Sequence, residues 1–122
     1  MIRLLVCGGR SYAAWWKVYR SLNWVHRTEG ISVLIHGAAS GADSLGGQWA
    51  RNQGVEEEPY PIVDGEGGYA RNRRMLRTSS PDAVMYFPGG NGTRHMRWIG
   101  AGADLRMIPG LAPQEGTPDL FK

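Results

Sequence analysis

Residues 82–93 read Asp82-Ala83-Val84-Met85-Tyr86-Phe87-Pro88-Gly89-Gly90-Asn91-Gly92-Thr93, an apolar run that stops at a proline and two glycines. A short continuous apolar run bounded by turn residues is the pattern of a buried strand. The segment after it, Thr93 to Ala103, has helical composition, so the stretch reads as strand, tight turn, helix. The same pattern occurs twice more upstream. Ile2–Cys7 is an apolar run that ends at Gly8-Gly9, and Ile31–His36 ends at Gly37. Between them Trp15, Val18, Tyr19, Leu22 and Val25 recur at spacings of three and four, which predicts a helix burying that face. Ser11 is its expected N-cap and Gly30 its stop.

A second helix is expected from about Ser40 to Gln53, ended by Gly54. Three consecutive glutamates and two prolines within Val55–Val63 reduce that stretch to a short edge strand or an extended segment. Asp64–Gly68 reads as a loop, Tyr69 to about Thr78 as a strongly basic helix, and Leu105–Ile108 as a last strand. Strand and helix therefore alternate. The order predicts a single α/β domain over residues 1–110, a mostly parallel sheet of about five strands with helices on both faces, and a C-terminal tail over residues 111–122. Ligands in such sheets bind beyond the carboxyl ends of the strands, and three Gly-rich turns share that edge.

Composition narrows the partners. The chain has 122 residues and 42% hydrophobic content, enough for one core. Eighteen glycines are roughly twice the usual share. They gather between apolar runs, which suits tight turns and not a collagen-like repeat. A net charge of +3 favours an anionic ligand but is too weak to require nucleic acid. No apolar run is long enough for a membrane span, Ile2–Cys7 is too short for a signal-peptide core, and one cysteine makes no internal disulfide. A cytoplasmic, reducing location is the expectation.

Each turn admits two readings. In Pro88-Gly89-Gly90-Asn91-Gly92-Thr93 the glycines allow close backbone approach and the free N–H groups of a helix start attract an anion. Thr93 either caps the helix or donates to a phosphate. The spacing matches neither the dinucleotide fingerprint nor a P-loop. In Gly8-Gly9-Arg10-Ser11-Tyr12, Arg10 suits a phosphate and Tyr12 a base. The third turn runs His36-Gly37-Ala38-Ala39-Ser40-Gly41-Ala42-Asp43. Ser40 and Asp43 there stand at capping-box spacing, so both serve either as caps or as ligand contacts. Arg71, Asn72 and Arg74, with Arg73 and Arg77, form the densest basic cluster, which reads as a solvated face, an anion clamp or a nucleic-acid patch. Cys7 reads as a small core residue. The three histidines lack metal-ligand spacing, and neither metal nor tightly held cofactor is expected.

Taken together, Cys7–Tyr12, Ile35–Asp43, Ala70–Met75 and Phe87–Thr93 resemble, in order, the motifs of the SLOG superfamily of Rossmann-like nucleotide-binding domains, in its YspA-like branch. The resemblance covers nearly the whole chain except the tail. It implies nucleotide ligands or NAD- and ADP-ribose-derived ones, often signals, and a homo-oligomer. A sister branch, the LOG phosphoribohydrolases, carries a signature similar to PGGxGTxxE and an upstream arginine that looks like Arg71. The catalytic glutamate of that signature falls on Met96 here, and a thioether neither activates water nor stabilises an oxocarbenium-like centre. The expectation is a binding protein without catalysis, a sensor or a sequestering protein for a signalling nucleotide. A LOG-like N-glycosidase and a DprA-like single-strand nucleic-acid binder are the alternatives.

Overall fold

In the first strand, β1 (Ile2–Cys7), Leu4 and Val6 turn to one side while Leu5 and Cys7 turn to the other, and all four are buried. A strand buried on both faces needs helices on both faces. The chain supplies them. A computed structural model describes residues 1–110, and the tail expected over residues 111–122 lies outside the described residues. After β1 come α1 (Trp15–Thr28), β2 (Ile31–His36), α2 (Ala42–Gln53), β3 (Glu56–Pro59), α3 (Gly68–Ser79), β4 (Ala83–Tyr86), α4 (Asn91–Gly102) and β5 (Arg106–Pro109).

The strands lie in the order β3-β2-β1-β4-β5, and every pairing is parallel. Val18, Leu22 and Val25 of α1, with Trp49 and Ala50 of α2, cover the face that holds Leu4 and Val6. Met75 of α3 and Met96 of α4 cover the opposite face with Leu5, Cys7 and Val84. Trp49 is fully buried because Asn23 of α1 accepts its indole N–H at 2.8 Å. The chain runs outward from β1 to β3, then returns to lay β4 on the other side of β1. The sheet's topological switch point therefore falls between β1 and β4.

Four local expectations change. The N-cap of α1 is Ala14, without a side-chain hydrogen bond, and not Ser11. Ser11 belongs to a turn closed by Tyr12 N–H on the Gly9 carbonyl at 3.2 Å. Trp15 is 56% exposed and packs edge-on against Trp16 and Tyr19, so the buried stripe of α1 begins at Val18. The capping box also does not form: Gly41 is the N-cap of α2, and Ser40 Oγ donates instead to the carbonyl of Arg10 at 3.1 Å. Likewise Gly90 caps α4, which leaves Thr93 in the first turn of the helix and not at its cap.

Candidate anion-binding site

At the switch point a cleft of about 760 Å³ opens, a size that suits a small-molecule ligand. Three segments wall it: the turn after β1 (Gly8, Gly9, Arg10), the start of α3 (Gly67–Arg73), and the start of α4 (Gly90–Thr93). Ala39 reaches in from the turn after β2 and Asp43 from the first turn of α2, and Cys7 and Met75 add apolar lining.

The two helix starts decide the chemistry. Neither Gly67 before α3 nor Gly90 before α4 provides a capping side chain, and neither helix has an acidic residue in its first turn. The first intrahelical donors are Arg71, which bonds the Gly67 carbonyl, and Arg94, which bonds the Gly90 carbonyl, both at 3.0 Å. The N–H groups of Gly68, Tyr69 and Ala70, and of Asn91, Gly92 and Thr93, precede those bonds. Two helix dipoles, each equivalent to about half a positive charge, thus end at one cleft. A side-chain carbon added at Gly90 or Gly92 would meet nothing within 4 Å, which leaves the backbone open to a ligand.

The neighbouring turns are closed by contrast. Gly41 has φ of +74°, and a Cβ there would stand 2.1 Å from the Gly9 carbonyl oxygen. A Cβ on Gly89 would stand 2.2 Å from Thr93 Oγ1 and 2.7 Å from Gly9 N. These glycines let one turn touch another, and neither lines the cleft.

Three guanidinium groups (Arg10, Arg71, Arg73) against one carboxylate (Asp43) line the cleft, so its charge is positive. Their roles differ. Arg71 is buried: its Nη1 donates to the carbonyls of Gly37 and, at 3.2 Å, Tyr60, and its Nε donates to Asn72 Oδ1 at 3.3 Å. Asp43 Oδ2 accepts the N–H groups of Gly37 at 3.1 Å and Ala39 at 3.3 Å. Burial raises the Asp43 pKa, opposed by the Ala39 N–H and by the charges of His36 and Arg71. Arg10 and Arg73 are exposed, with no acceptor on either side chain among the described residues.

Of the residues expected from the sequence, Gly8, Gly9, Arg10, Asp43, Arg71, Asn72, Gly90, Asn91, Gly92 and Thr93 meet in this cleft. Ser11, Tyr12, His36, Gly37, Ser40, Gly41, Arg74, Pro88 and Gly89 do not line it. The Tyr12 ring packs on Phe87 with centroids 5.4 Å apart. His36 is buried; its Nδ1 accepts the Ala38 N–H at 2.9 Å and its Nε2 meets Glu57 at 2.6 Å. Arg74 faces away, paired with Glu66 at 2.8 Å. Burial, with the Asp43 charge, pushes the Cys7 thiol up to about 12, so no thiolate is available at neutral pH.

The basic helix expected from Tyr69 begins one residue earlier, at Gly68, the last residue of the expected loop. Gly67-Gly68-Tyr69 repeats the Gly-Gly-to-helix pattern of the other turns, and that signal was present in the sequence. On α3 it is Arg73, not Arg74, that lines the cleft unpaired, because the helix phase turns Arg74 toward Glu66. Among the described residues no three His, Cys, Asp or Glu side chains gather where a metal ion could be held, and no helix is long and apolar enough to cross a membrane.

Fold and cleft define a doubly wound, all-parallel α/β protein with an anion-attracting cleft at its switch point. Residues 2–62 match the family described as the YspA, cpYpsA-related SLOG family, and the chain belongs to it. Gene 61 protein of Mycobacterium phage D29 is 32% identical over 107 residues, covering 78% of this chain and 85% of that protein. A universal stress protein from Archaeoglobus fulgidus has a similar fold, with a TM-score of 0.56 at 15% identity, over 88% of this chain and 93% of that one. Membership of the SLOG family suggests nucleotide-related binding.

Proposed function

We propose that this protein binds a phosphate-bearing nucleotide of the NAD- and ADP-ribose-derived class and holds it without cleaving its glycosidic bond. One observation carries the reading: the uncapped starts of α3 and α4 converge on a single cleft that also holds the free guanidinium groups of Arg10 and Arg73. Six backbone donors and two unpaired guanidinium groups lining one space are what a phosphate or diphosphate requires, since anions bind where unsatisfied N–H groups and helix dipoles point together.

The absence of cleavage rests on the carboxylates near the cleft. Met96, where the sister enzymes carry their glutamate, is fully buried in the apolar layer beneath α4 and outside the cleft. Glu66 is paired with Arg74 and does not line the cleft either. Asp43 has one carboxylate oxygen committed to two backbone N–H groups.

Mass spectrometry of small molecules released from the purified protein, followed by calorimetry with AMP and ADP-ribose, tests the reading. Saturable binding with no free base released supports it. Release of base from either compound overturns the non-catalytic part, and failure to bind any phosphate-bearing nucleotide overturns the whole. The reading includes a homo-oligomer, measured by light scattering with and without ADP-ribose. A ligand-dependent change of mass marks a sensor, and tight binding at constant mass marks a sequestering protein.

A further inference from the structure

Tyr69 is the second residue of α3, is 48% exposed, and is one of the residues lining the cleft. One face of its ring lies flat on the His95 imidazole, with centroids 4.3 Å apart and planes 14° from parallel. His95 itself does not line the cleft, whereas Tyr69, stacked on it, does line it and remains half exposed. Among the described residues no second ring or guanidinium packs on Tyr69.

The backing ring is held in turn. Asn72 Nδ2 lies 3.2 Å from His95 Nδ1 and donates to the Gly92 carbonyl at 3.1 Å, while Asn72 Oδ1 accepts from Arg71 Nε. Burial, together with the charge of Arg73, lowers the His95 pKa. The neutral imidazole therefore accepts the Asn72 amide at Nδ1. An exposed tyrosine in the first turn of a helix ordinarily moves among rotamers, and ordering it on binding costs free energy. A ring already stacked and locked across two helices avoids that cost.

We infer that Tyr69, backed by His95, is the platform on which the planar base of the ligand stacks, so the site takes nucleotides in preference to bare sugar phosphates. The inference rests on the function proposed above and names what that site selects. Aromatic stacking suits this task because every base has a π-face, and the loss of one such stack weakens binding by about tenfold or more.

The test compares AMP with ribose 5-phosphate by calorimetry on the wild-type protein, Tyr69→Phe and Tyr69→Leu, with fluorescence of 1,N6-etheno-AMP as a direct report of stacking. Wild type is expected to bind AMP more tightly than ribose 5-phosphate and to quench the etheno base. Tyr69→Phe should stay within about threefold of wild type for AMP, and Tyr69→Leu should lose about tenfold while its ribose 5-phosphate affinity is unchanged. Equal AMP affinity in wild type and Tyr69→Leu overturns the platform, as does equal loss for both ligands or an unquenched etheno base bound to wild type. Any of these leaves the phosphate site intact. Wild type that binds neither compound overturns the nucleotide site and the platform with it.

Discussion

Gly9 donates its backbone N–H to the carbonyl oxygen of Pro88 at 2.8 Å, which ties the turn after β1 to the turn after β4 at the point where the strand order reverses. The carbonyl of the same Gly9 accepts from Ala42 N and from Tyr12 N, each at 3.2 Å. The first donor of α2 is thereby satisfied by protein, whereas the first donors of α3 and α4 are not. An anion in this cleft belongs at α3 and α4 for that reason.

Gly41→Ala should destabilise the fold by about 2–4 kcal/mol, through strain at positive φ and a clash with the Gly9 carbonyl. Denaturant unfolding measures it. A change below about 0.5 kcal/mol would show that the turn relaxes freely, since that is the usual range for an inconsequential substitution.

Arg10→Ala and Arg73→Ala should each weaken ADP-ribose binding by about five- to tenfold, because both cations are unpaired at the cleft. Arg74→Ala should stay within about twofold, since its guanidinium is paired with Glu66 and faces away. Calorimetry at low and at moderate salt separates them. The two cleft variants should also show a shallower salt dependence, and an equal effect of all three would contradict the assignment.

Met96→Glu should not create a hydrolase. It buries a carboxyl among Leu5, Val84 and Met75 and should cost about 4 kcal/mol, seen as a lower melting temperature. Met96→Leu should cost less than about 1.5 kcal/mol. A stable Met96→Glu protein that releases base from AMP would show that the side chain reaches the cleft after all.

The Arg74 hydrogen bonds hold the Glu66 carboxyl down to about 2 from its ordinary 4.5, with help from the Val63 N–H. A depressed carboxylate stabilises the fold above its unfolded value and loses that contribution as pH falls through its folded value. The anchored Pro61–Glu66 loop should therefore loosen only as pH falls from about 4.5 toward about 2. An NMR titration of the Glu66 carboxyl should show a midpoint near 2 in wild type and a rise toward 4.5 in Arg74→Ala. An unchanged midpoint would assign the shift to something other than Arg74.

Much of this was legible in the residue order. Apolar runs closed by glycine give strands and turns through local physics, because few residues other than glycine tolerate those turns and a continuous apolar run must be buried on both faces. The parallel sheet with helices on both faces, the three strand-end turns and the absence of glutamate at Met96 all followed from pattern alone. Helix starts were less legible. Ser11, Ser40 and Thr93 are good caps by type, yet the backbone positions that begin α1, α2 and α4 are set by how the turns dock on one another, through Gly9, Pro88 and Ala42.

The cleft itself belongs to the tertiary structure. Nothing in a one-dimensional pattern shows that Arg71 turns inward to Gly37 and Tyr60, that Arg74 is paired with Glu66 while Arg73 is not, or that Tyr69 lies flat on His95. Each depends on helix phase and on partners far away in the chain. The sequence by itself determined the fold and picked out two of the three segments that wall the cleft, the turns after β1 and β4, but not the start of α3. Only the docking of the turns decided which backbone donors stayed free, because the Gly9 carbonyl reaches the first donor of α2 while no other described segment reaches those of α3 and α4.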